Sequence, residues 1–499
     1  DTNNDGNVIS PAPNNWEGLR LSGATPDVHD LVMRYADYGL EVYADHRTIT
    51  PTIQRVDIQD NNRYGLYLRT DYGTIDGVIS SGIISGCGDY GIYAYAYRPN
   101  DEVNTAVQDS TLTNNNDAGL YLSGGTAVAS APVINGNTFS GNGYPVWLVN
   151  GSYPAFGTNT WGDDGIDGIG IQGTWNVSRT LKRLDLPYVL VGDVTIGSQA
   201  VVTLPEDIVV KGNSGTDIFV NGRLIFDNSD GHEVIFTSIY DDSYSGDTNN
   251  DGNATFPGPN NWEGLRLSGA TPDVHDLVMR YADYGLEVYA DHRMITPTIQ
   301  RVDIRNNNRY GLYLHTDYGI IDGVISSSII SGCGDYGVYA YAYRSDDEVN
   351  TAVQDSTLTN NNDAGLYLRG GTVIASTPTI NGNTFSGNGY PVWLVHGSYP
   401  AFGTNTWGND GIDGIGIQGT WNVSRTLERL DLPYVLVSDV TIGSGAIITL
   451  SADLLVKGYA GTDLLVNGQL AFASRDGHEV IFTSIRDDDY GGDTNGDGT

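Results

Sequence analysis

The sequence predicts an all-β solenoid, a chain wound into stacked coils, and three observations carry that expectation. Residues 14 to 47, NNWEGLRLSGATPDVHDLVMRYADYGLEVYADHR, recur letter for letter at 260 to 293, and the likeness persists at the same 246-residue offset through the 499 residues. Within each copy a shorter period recurs, a glycine or once a proline followed by a brief alternating run: Gly18-Leu-Arg-Leu, Gly39-Leu-Glu-Val, Gly65-Leu-Tyr-Leu, Gly91-Ile-Tyr-Ala, Gly119-Leu-Tyr-Leu, Pro145-Val-Trp-Leu and Gly168-Ile-Gly-Ile. Composition agrees, because 65 glycines, 32 tyrosines and abundant Val, Ile, Leu, Asn and Asp favour strands broken by tight turns.

The elements follow in order. The chain opens with DTNNDGN at Asp1, meets the same heptad at Asp247 and enters a third copy at Asp493. Val28 to Tyr35 is compatible with a helix, and its alternation of Leu31, Met33 and Tyr35 suits a strand equally well. Each quartet reads as a turn glycine followed by a short strand whose second and fourth residues face a core while the third faces outward. Successive quartets lie 21 to 28 residues apart, the length of one coil of a three-faced solenoid. Strands stacked about 4.8 Å apart would then give about ten coils per copy and a rod on the order of 100 Å long. The Gly- and Asp-rich stretch from Trp161 to Arg183 is where a linker or bend would interrupt the stacking.

Sixty-one acidic against 25 basic residues give a formal charge of -36. That charge repels nucleic-acid phosphates and an anionic membrane surface, so neither is expected as a partner, whereas divalent cations are attracted. No run of 18 apolar residues offers a membrane span. Cys87 and Cys333 occupy equivalent positions and read as small buried thiols rather than a disulfide framework.

The stretch from Val194 to Ser238, its copy from Val440 to Ser484, the aspartate-rich loop that follows, the NNWEGL strand, and NGNTFSGNGYPVWL at Asn135 together resemble secreted right-handed parallel β-helix proteins of the pectate-lyase-like superfamily. The resemblance implies an extracellular rod of parallel strands in three faces. It leaves activity open, since the superfamily includes lyases, hydrolases, epimerases, adhesins and plain surface rods. Framed on the superfamily's opening coils, residues 1–183 form the C-terminal part of one unit, 184–429 a complete unit and 430–499 the N-terminal part of the next.

The sharpest local motif is Asp-x-Asn-x-Asp-Gly, at Asp1, Asn3 and Asp5, at Asp247, Asn249 and Asp251, and at Asp493, Asn495 and Asp497. Hard oxygen ligands at alternate positions, with a glycine for the sharp turn, suit calcium as the first half of an EF-hand loop does. The twelfth position is Ala12 or Gly258 rather than glutamate, so the loop is not an EF-hand. Asp241, Asp242, Asp487 and Asp488 precede it closely enough to complete a ligand set. The plainer alternative is a solvated acidic turn.

A second motif is the outward residue of each quartet: Tyr67, Tyr93, Tyr121 and Trp147, then Tyr313, Tyr339, Tyr367 and Trp393. Parallel stacking makes these an aromatic stripe able to dock glycan rings or a neighbouring rod, or simply to stack on itself. For catalysis the nearest approach is Asp37, Arg63 and Asp89, within the run Asp37, Arg63, Asp89, Asp117 and Asn142, and this reads more simply as a surface ion-pair ladder. Asp45, His46 and Arg47 read as a polar turn. No catalytic set is assigned.

Duplication multiplies length and binding without improving turnover. The expected function is therefore an extracellular, cell-surface rod rather than an enzyme: a filament, sheath or adhesin stalk stiffened by calcium, partnering itself end to end or side by side, with glycans as a further partner. The rivals are a polysaccharide lyase or hydrolase and a repeated carbohydrate-binding module.

Overall fold

The computed structural model describes residues 10–498 apart from Ala24, Asp230, Asn253, Ser474 and Asp476. Among the described residues there is no helix; strands are the regular elements. The chain divides into two compact units, one of residues up to 203 with 208–216 and 239–256, the other of 204–207, 217–238 and 257–499.

In the first unit one face is built from Leu19–Leu21, Tyr38–Asp45, Tyr64–Asp71, Tyr90–Ala96, Ala118–Gly124, Tyr144–Asn150, Ile169–Trp175 and Tyr188–Ile196, each paired in parallel with the next. A second face runs from Asp27–His29 through Thr52–Gln54, Val78–Ser80, Ala106–Gln108 and Val133–Asn135 to Ala155–Phe156. A third runs from Val32–Arg34 through Asp57–Gln59, Ile83–Ser85, Thr111–Thr113 and Thr138–Ser140 to Thr160–Trp161. The second unit repeats the pattern from Gly264–Leu267 to Tyr434–Ile442. The described residues make about 17 turns, close to the expected count. The stretch Val28 to Tyr35 is split between the strands Asp27–His29 and Val32–Arg34 on two faces, with Asp30 and Tyr35 at turns of positive φ, so its alternation does not run through one strand. The Trp161–Arg183 stretch does not stop the stacking. Ile169–Trp175 pairs with Tyr188–Ile196 across a register shift at Gly173, whose φ is +90°.

Parallel register places one residue type above its like. Leu40, Leu66, Ile92, Leu120, Val146 and Ile169 form one buried column, Ile53, Ile79, Val107 and Ile134 another, and Ile58, Ile84, Leu112 and Phe139 a third. Corners between faces recur as well: Tyr35, Asp60, Gly86, Asn114 and Gly141 all take positive φ, a conformation for which glycine, Asn and Asp are the cheapest residues.

Beside that corner runs a buried polar column. Asn61 Oδ1 accepts from Ala36 N at 2.9 Å, Asn115 Oδ1 from Cys87 N at 3.2 Å, Asn142 Oδ1 from Asn115 N at 3.1 Å, and Asp164 Oδ1 from Asn142 N at 2.7 Å. The Asn115 and Asn142 amides also donate to the carbonyls of Ile84 and Leu112. These asparagines satisfy backbone groups that the turn leaves without a partner, each worth about 1 kcal/mol net and more if left unmade. Asn142 therefore belongs to the interior and not to the surface ladder in which it was placed. Cys87 and Cys333 take a place in the same column, buried and unpaired, and burial pushes both thiols up to about 12.

The quartet glycines differ from expectation. Gly39, Gly65 and Gly91 lie inside strands rather than at turns. Their reason is space: a Cβ on Gly65 would sit 2.4 Å from Ile84 Cγ2 and 2.7 Å from the Gly91 carbonyl oxygen of the next coil. Gly65→Ala is accordingly expected to destabilise by about 1–3 kcal/mol, whereas Gly445→Ala, with nothing within 4 Å, leaves thermal unfolding unchanged. Equal melting temperatures for the two variants would refute the packing argument.

Candidate functional site

The acidic loop of the first unit is organised by a lysine. Strand Val209–Gly212 buries Lys211, whose Nζ donates to the carbonyls of Asp241 at 2.9 Å and Gly246 at 3.0 Å. Burial draws its pKa down to about 8 against the opposing charges of Asp241, Asp242 and Asp247. Asp247 closes the loop by accepting from Asp251 N at 3.1 Å and Gly252 N at 2.8 Å. The loop is tied to the coil edge where Asp167 N donates to the Thr248 carbonyl at 2.8 Å and Asn250 Nδ2 to Asp167 Oδ2 at 3.1 Å. The second unit repeats the device: Lys457 Nζ donates to Asp487 O, Gly492 O and Thr494 Oγ1, and Asp493 accepts from Asp497 N and Gly498 N.

Asp242, Asp247 and Asp251 bring one carboxylate oxygen each within 4.8 Å of one another, as do Asp488, Asp493 and Asp497. Burial, then the charge of the neighbouring Asp247 or Asp493, raises the pKa of Asp242 and of Asp488. Asp242 Oδ1 and Asn249 Oδ1 are buried with no hydrogen-bond partner, and so are Asp488 Oδ1 and Asn495 Oδ1. An all-oxygen set of like charges with orphaned acceptors fits a hard divalent cation. Two expected ligands turn elsewhere. Asp241 accepts from Ser243 N and Asp487 from Asp489 N and the Thr483 hydroxyl, so neither carboxylate joins its cluster. Asp1, Asn3 and Asp5 lie outside the described residues.

The aromatic stripe is in register. Tyr67, Tyr93, Tyr121 and Trp147 stack at centroid distances of 5.2, 5.0 and 5.6 Å, and Tyr313, Tyr339, Tyr367 and Trp393 at 5.1, 5.0 and 5.7 Å. A second column, Tyr38, Tyr64 and Tyr90, interlocks with the first: Tyr64 lies 4.6 Å from Tyr93 and Tyr90 4.7 Å from Tyr121. The rings are half-buried as a result, and burial pushes Tyr121 and Tyr367 up to about 12. Sequence reading missed this column, although its signal is plain: tyrosine immediately precedes Gly39, Gly65 and Gly91.

Arg63 serves that ladder. It donates to the Tyr38 and Tyr64 hydroxyls at 2.7 Å each and pairs with Asp89 at 3.1 Å, while Asp37 accepts from Asn62. The run Asp37, Arg63, Asp89 is thus occupied as a surface network. Beside the stripe, Tyr43, Tyr67, Arg69, Tyr95, Tyr97 and Arg98 border a groove of about 360 Å³. Arg69 lies over Tyr43 and pairs with Glu41 at 2.6 Å. In the second unit His315 replaces it, stacked between Tyr289 and Tyr313 with Nε2 2.6 Å from Glu287.

Stacked parallel coils, columnar core, asparagine column and aromatic ladder define a parallel β-helix. A family model described as a right-handed β-helix region matches residues 38–179 and 284–425, more than half of the chain, and the chain belongs to that family. No curated protein matches it, and no solved structure does.

The end of the asparagine column titrates. Asp164 is buried with Oδ2 unpartnered, and burial raises its pKa from 3.8 to about 6 against the lowering effect of the Asn142 bonds; Asp410 behaves alike. The folded state therefore holds a proton that the unfolded chain releases at lower pH. Stability is greatest below the unfolded value and falls as pH rises towards about 6, by up to about 3 kcal/mol for each such group. Asp164→Asn with Asp410→Asn should raise the melting temperature at pH 7.5 and leave it unchanged near pH 4. A gain of the same size at both would refute the titration.

Proposed function

We propose that the chain is a segment of an extracellular structural or adhesive filament, built from tandem β-helix repeats and stiffened by calcium at the acidic loops. The observation that carries this reading is how one coil covers the next. In the second unit Trp262 is 1 % exposed and Val278 1 %. The strand Asp217–Val220 pairs over Gly264–Leu267, strand Val234–Ser238 over Leu277–Arg280, and Phe236 stacks on Trp262 at 6.3 Å. The equivalent Trp16 and Val32 are 46 % and 65 % exposed, and Leu465, Val466 and Phe482, equivalents of Phe219, Val220 and Phe236, are 48 %, 44 % and 46 % exposed. The repeated sequence carries both halves of this junction, so that consecutive repeats can stack through it. Open strand edges of this kind pair with their like.

Calcium would be held by Asp242, Asn249 and Asp251 with Asp247, and by their counterparts in the second unit, neutralising carboxylates that otherwise repel. The rival reading, a repeated carbohydrate-binding surface, is supported by the tyrosine- and arginine-bordered groove.

Two measurements test the proposal. Calcium at about a hundredfold excess over its Kd should add about 2.7 kcal/mol of stability for each loop; Asp247→Asn with Asp251→Asn should remove the first loop's share, and adding Asp493→Asn with Asp497→Asn the rest, so that stability is lost more in calcium than in chelator. Equal losses in both conditions would remove calcium from the account. By electron microscopy and sedimentation, the wild-type chain should associate end to end, and Leu465→Asp with Phe482→Asp should return single particles. Single wild-type particles at all concentrations, with retention on a polyuronate or neutral-glycan matrix, would favour the rival instead.

A further inference from the structure

The second unit holds a cavity whose rim differs from the equivalent place in the first repeat. This cavity, of about 290 Å³, is lined by Leu394, Phe402, Ile417, Trp421, Leu427 and Tyr434, with Arg425 and Glu428 also bordering it. That is the small end of the range of ligand pockets, about 300–1,000 Å³. Arg425 is a fixed part of the wall: its Nη1 donates to the Ser398 carbonyl at 2.6 Å, and its guanidinium lies 5.1 Å from the Tyr399 ring and 5.2 Å from Trp421.

The first unit has the same walls. Leu148, Phe156, Ile171, Trp175, Leu181 and Tyr188 stand at the equivalent positions, and Arg179 donates to the Ser152 carbonyl at 2.7 Å beside Tyr153 and Trp175. Its rim differs: where the second unit has Glu428, the first has Lys182, whose Nζ donates to the Phe156 carbonyl. Phe156 is buried, whereas Phe402 is partly buried. Glu428 has no proton to give that carbonyl. It accepts instead from Ser451 Oγ at 3.1 Å, a residue that stands where the first repeat has Pro205.

The second repeat therefore keeps the apolar walls and the acceptor carbonyl, loses the tethered ammonium, and gains a carboxylate at the rim. We propose that this cavity binds a primary alkylammonium, a free aliphatic amine of about four or five carbons, in the place that Lys182 occupies in the first repeat. The stem would lie against Trp421, Leu427 and Phe402, and the ammonium would donate to the Phe402 carbonyl and pair with Glu428. Arg425 does not forbid a second cation, since the first repeat seats Lys182 close to Arg179 with no carboxylate at that rim position. This site is independent of the filament reading, because none of its residues lies on the end faces or the acidic loops.

The test is saturation-transfer NMR on the full chain with n-butylammonium, n-butanol and Nα-acetyl-lysine methylamide as probes. Saturable binding of butylammonium is expected, with butanol at least about tenfold weaker because it lacks the charge-assisted bonds. Glu428→Lys, which installs the residue the first repeat already folds with, should abolish binding, and Glu428→Gln should weaken it. Tighter binding of the lysine amide than of butylammonium would support the same chemistry with a polypeptide lysine as its source. Absence of saturable binding, equal binding of butanol, or undiminished binding to Glu428→Lys would overturn the proposal.

Discussion

Parallel in-register stacking is the constraint on which everything else in this molecule depends. Once each coil hydrogen-bonds to the next along every face, a residue's neighbours are its counterparts one turn away, and a side chain is acceptable only if it tolerates its own kind. Aliphatic residues meet this by packing in columns, as Leu40, Leu66 and Ile92 do. Asparagine meets it because one amide both donates and accepts, so Asn115 and Asn142 can bond each other and the turn backbone at once. Tyrosine meets it by offset stacking. Aspartate alone cannot, and wherever aspartates collect the molecule has to supply a cation, a lysine or a proton.

Three answers to that problem are visible. Arg63, Arg69 and Arg98 pair with acids on adjacent coils while lying over tyrosine rings, so one guanidinium serves two columns. Lys211 and Lys457 go inward and hold the acidic loops through carbonyls, leaving the carboxylates clustered. Asp164 and Asp410 end an asparagine column as acids and answer by raised pKa values. The clustered carboxylates of Asp242, Asp247 and Asp251 are the case that the protein's own side chains leave open.

Much of this was legible in the residues. The glycine-led quartets placed the strands and the outward stripe of Tyr67, Tyr93, Tyr121 and Trp147, because period-two alternation survives stacking unchanged. The column of Tyr38, Tyr64 and Tyr90 was not, because a glycine taken for a turn hides that the residue before it belongs to the strand. There Tyr64 and Tyr67 end on the same side although strict alternation would separate them. Lys211 escaped for another reason: a lysine in an apolar strand looks like a solvent-facing residue, and only the loop folding back over it makes it interior. With three lysines in the chain, two of them in the repeated V-K-G, its rarity was the available signal.

The hydrogen bonds between coils point along the stacking direction, which decides how each unit would carry load. Tension applied along the stack bears on the ladders of one junction at a time, so coils would peel away singly instead of the whole unit yielding together. Leu66 and Ile92 are partners one turn apart across 26 residues, and at about 3.5 Å per extended residue each released coil pays out about 90 Å of chain. Pulled from the side, the same ladders would share the force and resist together. Such a body is stiff across its width and lengthens stepwise along its stack, dissipating work coil by coil.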